Sequence, residues 1–153
     1  MKKFMNLCLF AACWIAPALG VAATCGGTNI NNRLAWEPTE IAEGTTLATW
    51  RAKSAVVSND PGDSFHLIAG ECIGTFLITP DGNTRSRGSC VRKDKDGDVL
   101  NEDWVQSAES DSKGKWNHAG GTGKFATAAG TGTWEIVMLQ DGVAAVSWAG
   151  DCQ

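Results

Sequence analysis

The sequence predicts an all-β protein, a single antiparallel β-barrel of about eight strands stapled by two disulfides. Short segments rich in β-branched and aromatic residues recur along the chain and are separated by turn-forming residues. After the N-terminal segment 1–23, no run longer than about ten residues keeps the i, i+3, i+4 apolar spacing of a helix. Four cysteines follow the N-terminal segment, an even number that suits two bridges.

Turn signals divide the chain at intervals of roughly 15 to 27 residues, which fits pairs of strands joined by tight hairpins. A closed barrel uses the available length and removes the exposed edges that an open sheet would carry. The signals are Asn59-Asp60-Pro61-Gly62, Pro80-Asp81-Gly82-Asn83, Asp96-Gly97-Asp98, Ser112-Lys113-Gly114 and Asp141-Gly142.

Alternation of apolar and polar residues predicts which side chains point inward. Glu135 lies on the opposite face from its apolar neighbours, so it is expected to point outward. Residues 65–79 and 135–139 are apolar on both faces, which predicts central strands or positions covered by a loop. The residues expected to point inward are Ala48, Trp50, Ala52, Val56, Trp134, Ile136, Met138, Val146 and Trp148.

Residues 1–23 have the pattern of a secretory signal peptide: two lysines, an apolar run and a small-residue cleavage site at Val21-Ala22-Ala23. A lipoprotein attachment at Cys13 is the alternative, disfavoured because the apolar run continues beyond it. Residues 24–153 are then one domain of an exported protein, periplasmic or secreted, without a stable membrane span. Residues 24–32 and 109–121 are predicted to be irregular loops.

The net charge argues against a nucleic-acid partner. Lys2 and Lys3 leave with the signal segment, so 11 of the 13 basic side chains remain against 17 acidic ones, a net charge of −6. Nucleic-acid binding draws its affinity from basic surface, and no Lys/Arg cluster is present. The oligomeric state is left open.

The four remaining cysteines are expected to form two disulfides in an oxidising compartment. Cys72 and Cys90 flank a hairpin signal that would bring their sulfurs to neighbouring rows, which leaves Cys25 to pair with Cys152. The two other pairings remain possible at this stage.

Few residues suggest catalysis, and no cofactor is expected. His66 is expected in a strand and His118 in a glycine-rich loop, and two histidines alone do not define a metal site. No G-x-S-x-G nucleophile motif occurs. The acidic run 94–103 begins like a calcium loop at Asp94, Asp96 and Asp98, with Glu102 as a further candidate ligand, but it lacks the glycine and the closing glutamate. A solvated hairpin tip is the preferred interpretation.

The composition is unusual in its aromatic residues: six tryptophans lie outside the signal segment, and the sequence has no tyrosine. Such rings fill a core or line a pocket for a ring-shaped or lipid-like ligand. Trp50, Trp134 and Trp148, together with Phe125, are the candidate ligand-binding residues.

The glycine-rich segment 120–136 matches neither a Walker loop nor a dinucleotide fingerprint. It predicts a sharp bend with Phe125 dropping into the core, followed by a strand in which Gly130 and Gly132 allow close approach. Trp134 is expected to be the first inward residue of that strand.

The motifs DKDGD at 94–98, GGTGKF at 120–125 and GTGTW at 130–134 resemble those of a group of exported bacterial proteins of unassigned function. The glycine-aromatic motif is similar to the turn of the allene oxide cyclase and dirigent-like barrels, in the broader calycin-like class. The resemblance implies an eight-stranded barrel with a mostly apolar central cavity. The residues it carries over serve the fold: Gly121, Thr122, Gly123, Phe125 and Gly130.

Three functions are compatible with the sequence. The leading hypothesis is non-catalytic binding of a hydrophobic or aromatic small molecule, or a structural envelope role. The first alternative is a cofactor-free isomerase or cyclase acting in the barrel cavity, which a titratable group inside that cavity would favour. The second is a carbohydrate-binding module presenting Trp36, Trp104 or Trp116 on an exposed surface.

Overall fold

The computed structural model describes residues 23–107 and 109–153. It is a closed barrel in which each strand pairs antiparallel with its sequence neighbour and the last strand pairs with the first. The predicted all-β, eight-stranded barrel is therefore confirmed. The predicted signal segment falls outside the described residues, except that Ala23 begins the first strand. The strands are β1 Ala23–Ala42, β2 Thr45–Ser58, β3 Ala69–Ile78, β4 Thr84–Lys93, β5 Val99–Gln106, β6 Lys113–Gly121, β7 Ala129–Gln140 and β8 Val143–Cys152.

The two ends of the barrel are built differently. One end, which we call the mouth, carries the β1–β2, β3–β4, β5–β6 and β7–β8 connections. The other end, the floor, carries the longer β2–β3 loop (residues 59–68), the β4–β5 turn (94–98) and the β6–β7 loop (122–128), which includes a 3₁₀ turn at Gly123–Phe125. The longer floor loops have enough chain to fold inward and cover the barrel.

The floor is closed by a hydrophobic core. Phe65 and Phe125 come from the two longer floor loops, and their rings stack with centroids 5.7 Å apart. Phe125 is 1% exposed, as predicted for the plug of the glycine-rich bend. The core contains Val56, Phe65, Ile68, Leu100, Trp116, Phe125, Ala128, Trp148 and Cys152.

Tryptophans inside the barrel lie opposite glycines on neighbouring strands. A side chain added at Gly132 would lie 2.5 Å from the Trp116 ring and 2.1 Å from the Ala149 carbonyl oxygen. The missing side chains give the large indoles room to lie across the neighbouring strand, which lets a small barrel hold several of them. The cross-strand pairs are Trp50 with Gly74, Trp104 with Gly88, Trp116 with Gly132, Trp134 with Gly114 and Trp148 with Gly27.

Both predicted disulfides are present. Cys72 and Cys90 lie directly opposite each other on β3 and β4, and both side chains point into the barrel. Cys25 and Cys152 join the beginning of β1 to the end of β8 at the floor. The second bridge therefore covalently secures the strand pair that closes the barrel.

Three expectations about local structure were wrong. Residues 24–32 belong to β1, and most of the segment 109–121 belongs to β6, because both segments must pair to close the barrel. A register shift between Ile136 and Met138 interrupts the alternation of β7, so Met138 is exposed and Leu139 faces the cavity instead.

The stretches that are apolar on both faces are not buried on both faces, because the outer face of the barrel wall is exposed to solvent there. Their outward side chains, including Ile73 and Val137, are exposed on the barrel wall. Glu135 points outward as predicted and pairs with Lys113. Within residues 23–107 and 109–153, no helix has the length and apolar character needed to cross a membrane.

Candidate functional site: the barrel cavity

The barrel contains a cavity of about 430 Å³ that begins at the mouth and ends on the floor core. Its volume falls within the range of small-molecule sites, about 300 to 1,000 Å³. Aromatic and aliphatic side chains line most of it. Polar side chains are restricted to β1, the deep end and the rim: Asn29, Asn31, Arg33, Thr84, Ser86, Arg92, Glu102 and Asp111.

A continuous series of aromatic rings forms one wall of the cavity. Trp36 meets Phe76 with ring centroids 5.2 Å apart, and Phe76 meets Trp50 and Trp104 at 6.4 and 6.3 Å. Trp104 also contacts Trp134 edge to face at 6.3 Å. Edge-to-face contacts fix the ring planes, so this wall has a defined shape before any ligand enters.

Three of the four predicted ligand-binding residues line the cavity: Trp50, Trp134 and Trp148. They come from β2, β7 and β8, and the alternation of those strands places them inside. The fourth, Phe125, lies within the floor core and does not line this cavity. The glycine-rich bend thus positions Phe125 to support the cavity from below.

A buried ion pair lies at the deep end. Arg92 on β4 is 1% exposed, and its Nη1 lies 3.0 Å from Oε1 of Glu102 on β5. The Nε and Nη2 groups of Arg92 both donate hydrogen bonds to the Ser54 hydroxyl, at 3.3 and 3.2 Å. A buried arginine needs such partners, because an unpaired charge in a low-dielectric interior is strongly destabilising. Glu102 therefore supplies a carboxylate at the bottom of the cavity with one oxygen not engaged by Arg92.

His118 lies directly behind this pair. Its Nε2 is 3.9 Å from Oε2 of Glu102, and its ring packs between Phe65 and Trp116 at 4.6 and 4.8 Å. Burial lowers the pKa of His118 below its ordinary value, an effect only partly offset by the negative charge of Glu102. The imidazole is therefore neutral at pH 7.

Both histidines lie in different elements from those expected. His118 is in β6 rather than in a loop, and His66 is in the β2–β3 loop rather than in a strand. Sequence reasoning also missed Glu102 as an inward acid, having considered it only as a calcium ligand. The signal was available, because Leu100, Glu102 and Trp104 occupy alternate positions of one strand and the first and last are apolar.

Two asparagines form a polar stripe on the β1 wall. Asn29 and Asn31 line the cavity, and the Oδ1 atom of each is buried without a hydrogen-bond partner among the described residues. The Nε1 of Trp148, on the neighbouring strand β8, is likewise buried and without an acceptor there. By contrast, Trp116 and Trp134 donate to the carbonyls of Thr133 and Lys115.

The acidic turn 94–98 is a hydrogen-bonded hairpin tip. Asp94 Oδ1 accepts the backbone N–H groups of Asp96 and Asp98, and its Oδ2 lies 2.8 Å from Lys124 Nζ. Asp96 pairs instead with Lys95. In the part of the chain that the structure describes, no group of three or more His, Cys, Asp or Glu side chains is arranged to hold a metal ion.

The tryptophans considered for carbohydrate binding do not form an exposed row. Trp116 is buried in the floor core, and Trp104 faces the cavity. Trp36 is partly exposed at the mouth, but its ring meets Phe76 edge to face. A flat stacking platform for a sugar needs coplanar exposed rings, and these three do not provide one.

No protein-family model matches this chain, and no curated protein matches it. Two solved structures of pterocarpan synthase dirigent proteins are similar to it in fold. The first has a TM-score of 0.54 and 14% identity, covering 85% of this chain and 84% of that chain. The second has a TM-score of 0.51 and 12% identity, covering 87% and 95%. The dirigent-like barrel implied by the sequence resemblance is therefore supported at the level of fold, and membership of the bacterial group stays a prediction.

Proposed function

We propose that this protein binds a hydrophobic or aromatic small molecule in the barrel cavity without transforming it. The observation that carries the proposal is the aromatic-lined cavity of about 430 Å³, open at the mouth and closed at the floor. Apolar surface of a ligand would be removed from water against Trp36, Trp50, Phe76, Trp104 and Trp134. The edge-to-face packing of these rings lowers the cost of binding because the wall is already ordered.

The structural neighbours are in agreement with a cavity function. Both are named pterocarpan synthase dirigent proteins, and a synthase of a small molecule built on the same fold supports the proposal. At 14% and 12% identity that likeness concerns the fold, and the chemistry of this chain depends on its own side chains.

An exported location, periplasmic or secreted, belongs to the same proposal. Disulfides persist in oxidising compartments, and this barrel has two, one of them joining β1 to β8. A purely structural role in the envelope would not require a cavity with an open mouth, so we favour ligand binding over that role.

The first test is native mass spectrometry of the protein purified from its host, searching for a co-purifying small molecule. Tryptophan fluorescence titrations with lipids and aromatic compounds form the second measurement, because the indoles that line the cavity would sense an occupant. We expect a bound mass or a saturable change in emission. An unliganded mass together with unchanged emission across the panel would contradict the proposal.

The matched variants are Trp134→Leu and Trp36→Leu against Ile73→Ala. The first two remove ring area from the cavity wall, whereas Ile73 lies on the outer surface of the barrel. Loss of affinity in the first two with no change in the third would place the ligand inside.

A cofactor-free isomerase or cyclase is the second candidate, and Glu102 is the observation that favours it. A carboxylate at the cavity bottom, next to Arg92 and 3.9 Å from His118, is a group able to move a proton on a bound substrate. If a co-purifying compound is converted by the protein, Glu102→Gln should abolish conversion while the compound still binds. Glu135→Gln, an acid on the outer wall, is the control and should keep full turnover. Equal conversion rates in Glu102→Gln and Glu135→Gln would contradict a role for Glu102 in proton transfer.

A further inference from the structure

One wall of the cavity carries buried polar atoms that have no hydrogen-bond partner among the described residues. Asn29 and Asn31 on β1 and Trp148 on β8 line the cavity, and each has a buried polar atom without a hydrogen bond among residues 23–107 and 109–153. A buried polar group that stays unpaired costs free energy of folding, so such groups in a native protein require an explanation.

The three groups belong to one patch. Asn29 lies opposite Val146, two residues before Trp148 in β8, and Asn31 lies opposite Ala144. Asn29 and Asn31 are two residues apart on the same face of one strand, which places their attachment points roughly 7 Å from each other. The aromatic wall, built from β2, β3, β5 and β7 together with Trp36 near the mouth end of β1, supplies most of the remaining lining.

We propose that Asn29, Asn31 and Trp148 form the hydrogen-bonding edge of the ligand site and select uncharged ring compounds with two polar groups about 7 Å apart along one edge. This inference rests on the proposed cavity function and deepens it. The asparagine amides can donate or accept, and the Trp148 indole donates, so hydroxyl and carbonyl groups both fit. The apolar faces of the rings then lie against the aromatic wall.

Two other ligand classes fit less well. A hydrocarbon tail inside the cavity would leave the amides of Asn29 and Asn31 unpaired in an apolar environment. A carboxylate directed to the bottom would meet Glu102, and Arg92 is already engaged by Glu102 and Ser54. The ligand is therefore uncharged at its inner end and polar along one side.

The experiment compares naphthalene, 2-naphthol and 2,7-dihydroxynaphthalene, whose two hydroxyls lie on one edge, with dodecanoate as the tail-bearing probe, by isothermal titration calorimetry on the protein. A cavity that recognises apolar area alone ranks naphthalene first, because each hydroxyl must be desolvated. We expect the reverse order, with affinity rising by three- to tenfold for each hydroxyl that finds a partner.

Asn29→Leu and Asn31→Leu are the variants, and Asn32→Leu is the control because Asn32 is exposed on the same strand. The first two should each reduce the preference for the diol over naphthalene three- to tenfold, and the control should leave that preference unchanged. They should also raise the melting temperature of the ligand-free protein, because they replace an amide whose buried Oδ1 is unpaired among the described residues with an apolar group of similar size. A merely structural role for the two amides predicts a lower melting temperature instead.

The outcomes separate the two proposals. Naphthalene or dodecanoate binding more tightly than the diol in the unsubstituted protein would overturn the polar-edge inference and leave the cavity function standing. This order of affinities is measured on the unsubstituted protein, so it does not depend on whether the variants fold. Binding of none of the four probes would count against both.

Discussion

The floor and the mouth of the barrel both contain large aromatic and aliphatic side chains, but the floor buries them and the mouth leaves them partly exposed. At the floor, Phe125 and Trp116 are almost fully buried and pack in one core with a disulfide. At the mouth, Trp36 and Leu139 remain 38% and 69% exposed beside the cavity opening. We therefore expect substitutions at the floor to cost more stability than those at the mouth, which keeps apolar surface available for a ligand.

The difference follows from the connections at each end. Residues 59–68 form a loop long enough to fold inward with Phe65 and Ile68, whereas the β1–β2 and β7–β8 connections are only two residues long. A two-residue hairpin turn returns the chain directly to the next strand and is too short to extend over the barrel opening. The location of the longer loops thus decides which end is closed.

Removal of the floor disulfide is expected to have the largest effect. Replacing Cys25 and Cys152 by serine opens a loop of 127 residues, and chain-entropy arguments give a loss of about 5 kcal/mol in unfolding free energy. Replacing Cys72 and Cys90, separated by 18 residues, should cost about 3 kcal/mol. Chemical denaturation of both double variants measures the difference. A larger loss for the second pair would contradict the dominance of the floor.

Phe125→Ala should cost about 4 kcal/mol, because it leaves a cavity in the floor core where the side chain is 1% exposed. Trp36→Ala at the mouth should cost less than about 1.5 kcal/mol, because its ring already contacts solvent. Urea unfolding at equal protein concentration tests the pair. Equal losses would mean that the aromatic wall stabilises the fold as much as the floor does.

Gly132→Ala should cost about 3 kcal/mol, since the added carbon would meet the Ala149 carbonyl oxygen at 2.1 Å and the Trp116 ring at 2.5 Å. Gly82→Ala at the mouth is the control. Nothing lies within 4 Å of its added carbon, and only its φ of +81° is unfavourable, for about 1 kcal/mol. Thermal unfolding of both variants separates crowding around the tryptophans from backbone strain. A Gly132 variant as stable as the Gly82 variant would show that both the Trp116 ring and the β8 backbone at Ala149 can shift to admit the added carbon.

The smallest effect expected is a pH dependence from His118. Its pKa is lowered in the folded state by burial, so the unfolded chain binds this proton more readily than the folded one. Stability should therefore fall as the pH drops below about 6.5 and level off below the folded pKa of His118. His118→Asn should remove this pH dependence of the unfolding free energy. Between about pH 7.5 and 9 histidine is neutral in both the folded and the unfolded state, so the stability difference between variant and parent should stay constant there. Denaturation midpoints across pH provide the measurement, and parallel curves for both proteins down to pH 4 would exclude this contribution.

Much of the barrel could be predicted from the sequence, because strand alternation and hairpin turns depend on residues that are close together in the chain. Alternation placed Trp50, Trp134 and Trp148 inside, and Asp141-Gly142 marked a hairpin. Local rules failed where pairing overrode them. The bulge in β7 exposed Met138, and pairing with β8 turned the glycine- and asparagine-rich start of β1 into strand.

By itself, the sequence determined the strand periodicity, the turns and the presence of two cross-links, since each depends on residues close together in the chain or on a simple count. Only the tertiary structure decided that Arg92, Glu102 and His118, from three different strands, meet at the bottom of the cavity. It also decided that Asn29, Asn31 and Trp148 lie on neighbouring strands with buried polar atoms that no other described residue pairs. Which inward side chains become neighbours depends on the stagger between strands when the sheet closes, and that stagger is a property of the whole barrel rather than of any single strand.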